Sequence, residues 1–123
     1  MATTAKDRVT LYGLNPKVCD TVKKAGRWLD LHAIEYTLHD YRRDGVDKSW
    51  LTTLVAELGW EQLVNRRGTT WRNLSPALRT GMDATTAVDT MQQQPALIKR
   101  PLLYTGHCYL IGFCEQRWRT ALT

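Results

Sequence analysis

The chain has 123 residues, 43% hydrophobic and 24% charged, which suits one globular domain with a core that needs neither disulfides nor metals. No apolar run approaches the ~20 residues that cross a bilayer, and the N-terminal MATTAKDRVTLYG lacks the apolar stretch of a signal peptide, so the expected compartment is the cytoplasm. The net charge of +5 fits small anionic ligands, and no block of like charge exceeds three residues, which argues against nucleic acid as a partner.

In chain order, Val9-Thr10-Leu11-Tyr12 is a β-branched and aromatic run that reads as the first strand. Val22, Ala25, Trp28, Leu29 and Ala33 recur at helical spacing and predict a helix over Asp20 to Leu31. Ile34, Tyr36 and Leu38 alternate with Glu35, Thr37 and His39, a second strand, and Arg42-Arg43-Asp44-Gly45 reads as a loop. Asp47 can cap a helix carrying Trp50, Leu51, Leu54, Val55 and Leu58, with Gly59 as its stop. Trp60 to Val64 predicts one more helical turn, and Asn65 to Arg72 is polar and irregular. Ser75-Pro76 is an N-cap followed by proline at the first helical position, Asp83 opens a helix through Ala84, Val88 and Met91, and Pro95 ends that region. Leu102-Leu103-Tyr104, a turn at Thr105-Gly106-His107, a last strand from Cys108 to Ile111 and a closing helix from Glu115 to Leu122 complete the order.

The sequence of elements is βαβ, then a helical middle, then ββα. A right-handed βαβ start followed by a hairpin and a helix gives an α/β fold with a small mixed sheet. The expectation is one thioredoxin-like domain over 1–123, its core at about 8–45 and 93–122, with an all-helical insertion at about 46–92.

Cys19, Cys108 and Cys114 are an odd number of cysteines without an export signal, so reduced thiols are expected. Cys19 falls just before the first helix. There it meets unpaired backbone N–H groups and the positive end of the helix dipole, with Lys17, Lys23 and Lys24 nearby. Such surroundings favour the thiolate, the nucleophilic form. The competing reading is a small residue packed under a turn. A C-x-x-x-x-x-R phosphatase loop would need arginine at Ala25, and a C-x-x-C motif would need cysteine at Val22, so neither is present. His107-Cys108, Cys114, His32 and His39 are too sparse for a metal site. Cys108 and Cys114 read as thiols without a role.

VTLYG, CDTVKKA, RGTTWR, IKRPLL and a glycine-containing last strand, in this order, resemble the ArsC/Spx superfamily and within it the YffB-like branch. The resemblance covers about residues 8–122. It implies the fold read above, with Cys19 as nucleophile, Arg100 lining an anion site and Pro101 cis, so that backbone groups beside it bind a peptide-like thiol such as glutathione. Arsenate reductases of this type surround the cysteine with three arginines. Arg100 matches one; the first falls on Asn65, with Arg66 and Arg67 just beyond, and the third falls near Gly112-Phe113. A tetrahedral oxyanion needs several convergent donors, so efficient arsenate reduction is disfavoured. The Tyr12–Cys19 loop is also about two residues longer than in the family. In RGTTWR, Arg67 and Arg72 could bind a glutathione carboxylate, or Trp71 could pack the insertion while the arginines are solvated.

The resemblance thus implies a glutathione-dependent thiol/disulfide reductase with one nucleophilic cysteine. It would bind no cofactor and take glutathione as co-substrate, a second glutathione or a glutaredoxin as resolving partner, and a disulfide or small oxyanion as substrate. Arsenate reduction is the sibling chemistry. The alternative is a Spx-like adaptor that binds RNA polymerase without turnover, although Val22 removes the C-x-x-C switch of Spx.

Overall fold

The structure, a computed structural model, describes residues 9–17 and 19–122. Residues 1–8 of the N-terminal segment read above lie outside the described residues. The chain forms two compact units, one from the segments ending at Asp44 and beginning at Arg100, the other from Gly45–Lys99.

The first unit holds the whole sheet. β1 (Thr10–Gly13) leads through α1 (Asp20–Leu31) to β2 (Thr37–Asp40), which pairs parallel to β1 with Leu11 opposite Leu38. β3 (Leu102–Tyr104) runs antiparallel to β1, with Leu11 opposite Leu103 and Tyr12 opposite Leu102. β4 (Tyr109–Ile111) pairs antiparallel to β3, and the strand order is β2-β1-β3-β4. Helix α2 follows β2 directly as one turn (Tyr41–Asp44), and the closing, C-terminal helix spans Glu115–Leu122. This is the mixed sheet of the thioredoxin-like fold expected from the sequence.

Period-2 alternation divides the sheet chemically. Leu11 and Leu103 turn to one face and join Val9, Val22, Ala25, Trp28, Leu29 and Trp118 in the core. Trp118 is fully buried, its indole N–H donates to the Gly112 carbonyl at 3.1 Å, and its ring meets Trp28 edge-on at 5.9 Å. Gly13 ends β1 directly against α1: a Cβ there would lie 2.5 Å from Val22 Cγ2. Glycine lets the helix close on the strand.

Three local differences from the sequence reading have physical causes. The second strand starts at Thr37 rather than Ile34, because the end of α1 consumes the preceding residues. Ala33 adopts φ 56°, and the Ile34 N–H donates back to the Leu29 carbonyl at 3.0 Å. The expected loop at 42–45 begins as the helical turn α2, started by Asp40 Oδ1 accepting the Arg42 N–H at 2.9 Å. Within 65–72, Thr69–Arg72 coils into one helical turn.

Both outer strands carry an arginine. Arg43 donates to the Leu38 carbonyl of β2 at 3.0 Å, while Asp44 accepts the Asp40 N–H at 3.0 Å and pairs with Arg43 at 2.7 Å. On β4, Arg117 donates to the Ile111 carbonyl at 2.8 Å. The Arg43 hydrogen bond, reinforced by the Asp40 N–H, lowers the Asp44 carboxyl to about 2.

The second unit is helical: α3 (Lys48–Leu58), α4 (Trp60–Leu63), α5 (Thr69–Arg72), α6 (Pro76–Thr80) and α7 (Ala84–Gln93), then a 3-10 turn at Pro95–Leu97. Asp47, Ser75 and Asp83 accept the N–H groups of Trp50, Leu78 and Thr86, as their cap positions require. α3 packs on α7. Residues 93–99 belong with these helices rather than with the sheet. Leu97 and Ile98 are fully buried, and the Lys99 N–H donates to the Leu63 carbonyl at 2.8 Å.

Adding a methyl at Gly13 is expected to destabilise the fold by about 1–3 kcal/mol, measured by urea unfolding. The loss should shrink in a Val22→Ala background, because the same Cγ2 is the obstacle; additive losses would disprove the contact. The Asp44 carboxyl is depressed in the folded chain, so its contribution is present above its ordinary 3.8 and lost as pH falls through about 2. NMR titration of the Asp44 carboxyl carbon should give a midpoint near 2, returning toward 3.8 in Arg43→Ala.

Candidate active site

Cys19 stands at the N-cap of α1 with extended backbone, φ −132° and ψ 106°. Asn15 builds the loop that brings it there. Its side-chain oxygen accepts the Lys17 N–H at 2.9 Å, and its carbonyl accepts the Cys19 N–H at 3.1 Å. The Cys19 carbonyl accepts the first helical bond, from Lys23, at 3.1 Å. The thiol makes no capping hydrogen bond. It is half-buried and rests against the core cluster. The N–H groups of Asp20, Thr21 and Val22 therefore open the helix without intrahelical acceptors. Asp20 sits in the same first turn as an opposing negative charge.

The β1–β3 register decides what faces this loop. Tyr12 pairs with Leu102, so the end of β1 and the start of β3 lie at the same end of the sheet. The chain enters β3 through Arg100-Pro101, whose peptide bond is cis, as the family resemblance implies. Pro101 is buried, and its carbonyl accepts the Gly112 N–H at 2.8 Å. Cys19's loop and the Arg100-Pro101 segment thus leave one end of one sheet.

The sheet face away from the core carries an aromatic group that sequence reading missed. Tyr12 lies 5.1 Å from His39, 6.3 Å from Tyr41 and 6.4 Å from Tyr109, ring centre to ring centre. Tyr104 and Tyr109 lie 4.8 Å apart. Burial, with the neighbouring Tyr109, pushes the Tyr12 phenol up to about 12. Burial likewise raises Tyr41, as does the neighbouring Tyr12, while the positive charge of Arg100 acts in the opposite direction. The signal was available: Tyr12, His39, Tyr104 and Tyr109 alternate with Leu11, Leu38, Leu103 and Leu110 along their strands.

Cys114 was also passed over. It immediately precedes the C-terminal helix, and its carbonyl accepts the Trp118 N–H at 2.9 Å. The Arg117 N–H, helped by the Arg117 guanidinium, lowers its thiol below the ordinary value. The argument made for Cys19 from its place before a helix applied equally to CEQRW. Cys108 is exposed in the hairpin turn, 3.6 Å from the Thr105 hydroxyl.

In the helical unit, Asn65 Oδ1 accepts the Arg67 N–H at 3.1 Å. Arg72 closes the loop on itself, donating to the Arg67 carbonyl at 2.8 Å. Arg66, not Arg67 or Arg72, lies over the aromatic rings, 5.3 Å from Trp60 and 6.0 Å from Trp71. The Arg67 side chain is exposed and has no acceptor among the described residues.

Residues 14–121 match the ArsC family. An uncharacterised protein of Haemophilus influenzae is 48% identical over 113 residues, covering 92% of this chain and 97% of the relative. The global transcriptional regulator Spx of Streptococcus pyogenes is 25% identical, covering 94% of this chain and 85% of its own. Among solved structures, the YFFB (PA3664) protein superposes with a TM-score of 0.88 at 42% identity, covering 94% of this chain and 99% of its own. An arsenate reductase (ArsC) related protein from Brucella melitensis does so at 0.74 and 41%, with 92% of each chain covered. With its sheet order, its Cys19 loop and these likenesses together, the chain belongs to the ArsC family, in the YffB-like branch of the ArsC/Spx superfamily.

Proposed function

We propose that this chain is a glutathione-dependent thiol/disulfide reductase acting through a single Cys19 thiolate. The observation that carries the reading is the placement of Cys19: an uncapping thiol at the start of a 12-residue helix, at the end of the sheet where cis Arg100-Pro101 begins β3. In the first step the thiolate attacks one sulfur of a disulfide. The old S–S bond breaks, and the departing thiolate takes a proton from water. Cys19 is left in a mixed disulfide, which a glutathione thiolate resolves by attacking its other sulfur, releasing Cys19 and forming a new disulfide that carries the two electrons' oxidation away. Arg100 supplies positive charge for the carboxylates of the thiol peptide. Arg72 is committed to its own loop, while the Arg67 side chain is exposed. A reducing cytoplasm supplies the glutathione this cycle consumes.

The likeness to Spx supports a second reading, an adaptor that binds RNA polymerase and turns nothing over. The two part company at the thiol: an adaptor does not require Cys19.

Reduction of a glutathione mixed disulfide of a small thiol, coupled to glutathione, is expected to vanish in Cys19→Ser with the fold intact by circular dichroism. Full turnover in that variant sinks the mechanism. Arg100→Ala should raise KM for glutathione about tenfold, equivalent to ~1.4 kcal/mol, and an unchanged KM removes Arg100 from the site. Limited alkylation followed by mass spectrometry should modify Cys19 and Cys114 ahead of Cys108, despite the greater exposure of Cys108. A wild type without turnover, retaining polymerase binding in Cys19→Ser, would favour the adaptor.

A further inference from the structure

A cleft of about 270 Å³ follows the outer side of α1, from Pro16 in the Cys19 loop to Asp30 and Tyr36. Lys23 and Arg27 line it, and with Asp30 they recur at helical spacing, so the three share one face of α1. Gly26 lies among them, and a Cβ added there would stand 2.8 Å from the Tyr36 hydroxyl oxygen. The Tyr36 side chain packs against the core, which holds that hydroxyl in the cleft. Burial, with the negative charge of Asp30, raises the Tyr36 phenol, so the hydroxyl keeps its proton at neutral pH. A second cleft, of about 550 Å³, shares Asp30 and Tyr36 and is lined further by Ala33, Ile34 and Glu35. The groove is therefore dipolar, positive toward Pro16 and negative toward Asp30 and Glu35. Among the described residues, Lys23, Arg27, Asp30 and the Tyr36 hydroxyl make no side-chain hydrogen bond or ion pair.

We propose that this groove is a binding site for an α-amino-acid head group, its carboxylate on Lys23 and Arg27, its ammonium on Asp30, and the Tyr36 hydroxyl between them. A simple anion would face the like charge of Asp30, and a simple cation would face Lys23 and Arg27. A group that carries both charges on one carbon satisfies all three, and hydrogen bonds between ionised partners are the strong ones. Residues three apart on a helix hold their Cβ atoms about 5–6 Å from each other, so the two charged groups of one carbon reach both Arg27 and Asp30. The first cleft is smaller than the ~300–1,000 Å³ of sites for drug-sized ligands, which suits a head group. The second cleft receives what the head group carries. Two sources present this chemistry, a free amino acid and the γ-glutamyl end of a small peptide. The site stands apart from the thiol chemistry at Cys19 and does not depend on it.

The test is NMR titration of the full chain at fixed pH and ionic strength, read at the amides of Gly26, Asp30 and Tyr36. The probes are L-glutamine and S-methylglutathione, whose thioether cannot exchange with Cys19. N-acetyl-L-glutamine, which lacks the ammonium, is the control. Saturable shifts at these amides are expected with at least one probe, and the control should bind at least about tenfold more weakly. Saturation by L-glutamine alone assigns a free amino acid, by S-methylglutathione alone the γ-glutamyl peptide, and by both the head group itself. Arg27→Gln and Asp30→Asn, both at exposed positions, should each weaken binding about tenfold with circular dichroism unchanged. No saturable shift with either probe overturns the proposal. So does equal binding of the control, unchanged affinity in both variants, or shifts confined to the Cys19 loop and Leu102. Should either variant fail to fold, Lys23→Gln carries the same outcomes.

Discussion

The antiparallel pairing of β1 with β3 is the constraint on which the rest depends. It joins two stretches from opposite ends of the chain, Thr10 to Tyr104 and Tyr12 to Leu102, and it has one tolerable register. Leu11 and Leu103 must share the buried face, and a slip of one residue would turn a leucine out and a tyrosine into the core. That register also sets the site. It brings the end of β1, and the loop to Cys19, to the same end of the sheet as Arg100-Pro101. The catalytic arrangement proposed above is thus a by-product of burying two leucines opposite each other.

Most of the helices were legible because each carries its own punctuation. Asp20 to Leu31 was fixed by apolar spacing alone, while Asp47, Ser75 and Asp83 announced their helices by side chains that accept a backbone N–H three residues on. Strand limits were less legible. Ile34 and Tyr36 keep strand alternation and do pack against the core, yet the backbone of Ile34 is already spent closing α1. Alternation reports which face a residue buries, not whose hydrogen bond it makes. The limits of the insertion were blurred for a related reason: Leu97 and Ile98 follow a proline that looks like an ending, but their burial ties them to the helices.

The site shows a different limit. Cys19 stood out because a proline turn and lysines framed it, and Cys114 did not, though its thiol has the more evident local donor in Arg117. The aromatic face was invisible until the register was known. Its members sit in five separate elements, and only the pairing of strands makes neighbours of Tyr12, His39, Tyr104 and Tyr109. Around RGTTWR the sequence places three arginines, Arg67 and Arg72 within the motif and Arg66 just before it. The structure separates them by occupation: Arg66 lies over tryptophans, Arg72 ties the loop, and Arg67 is left over.

The division of the chain has a consequence for the order of synthesis. The helical unit is one continuous stretch, Gly45–Lys99, whereas the sheet unit needs the segments on both sides of it. A ribosome that has reached residue 99 has delivered every residue of the helices, but of the sheet only β1 and β2. The inner edge of β1, with Leu11 beside it, then has no partner until Leu102 to Tyr104 emerge. At that point the nascent chain holds all of the helical unit's residues but only half of the sheet's strands. A truncation near the junction at Lys99 and Arg100 would leave the β1 edge that pairs with β3 without its partner.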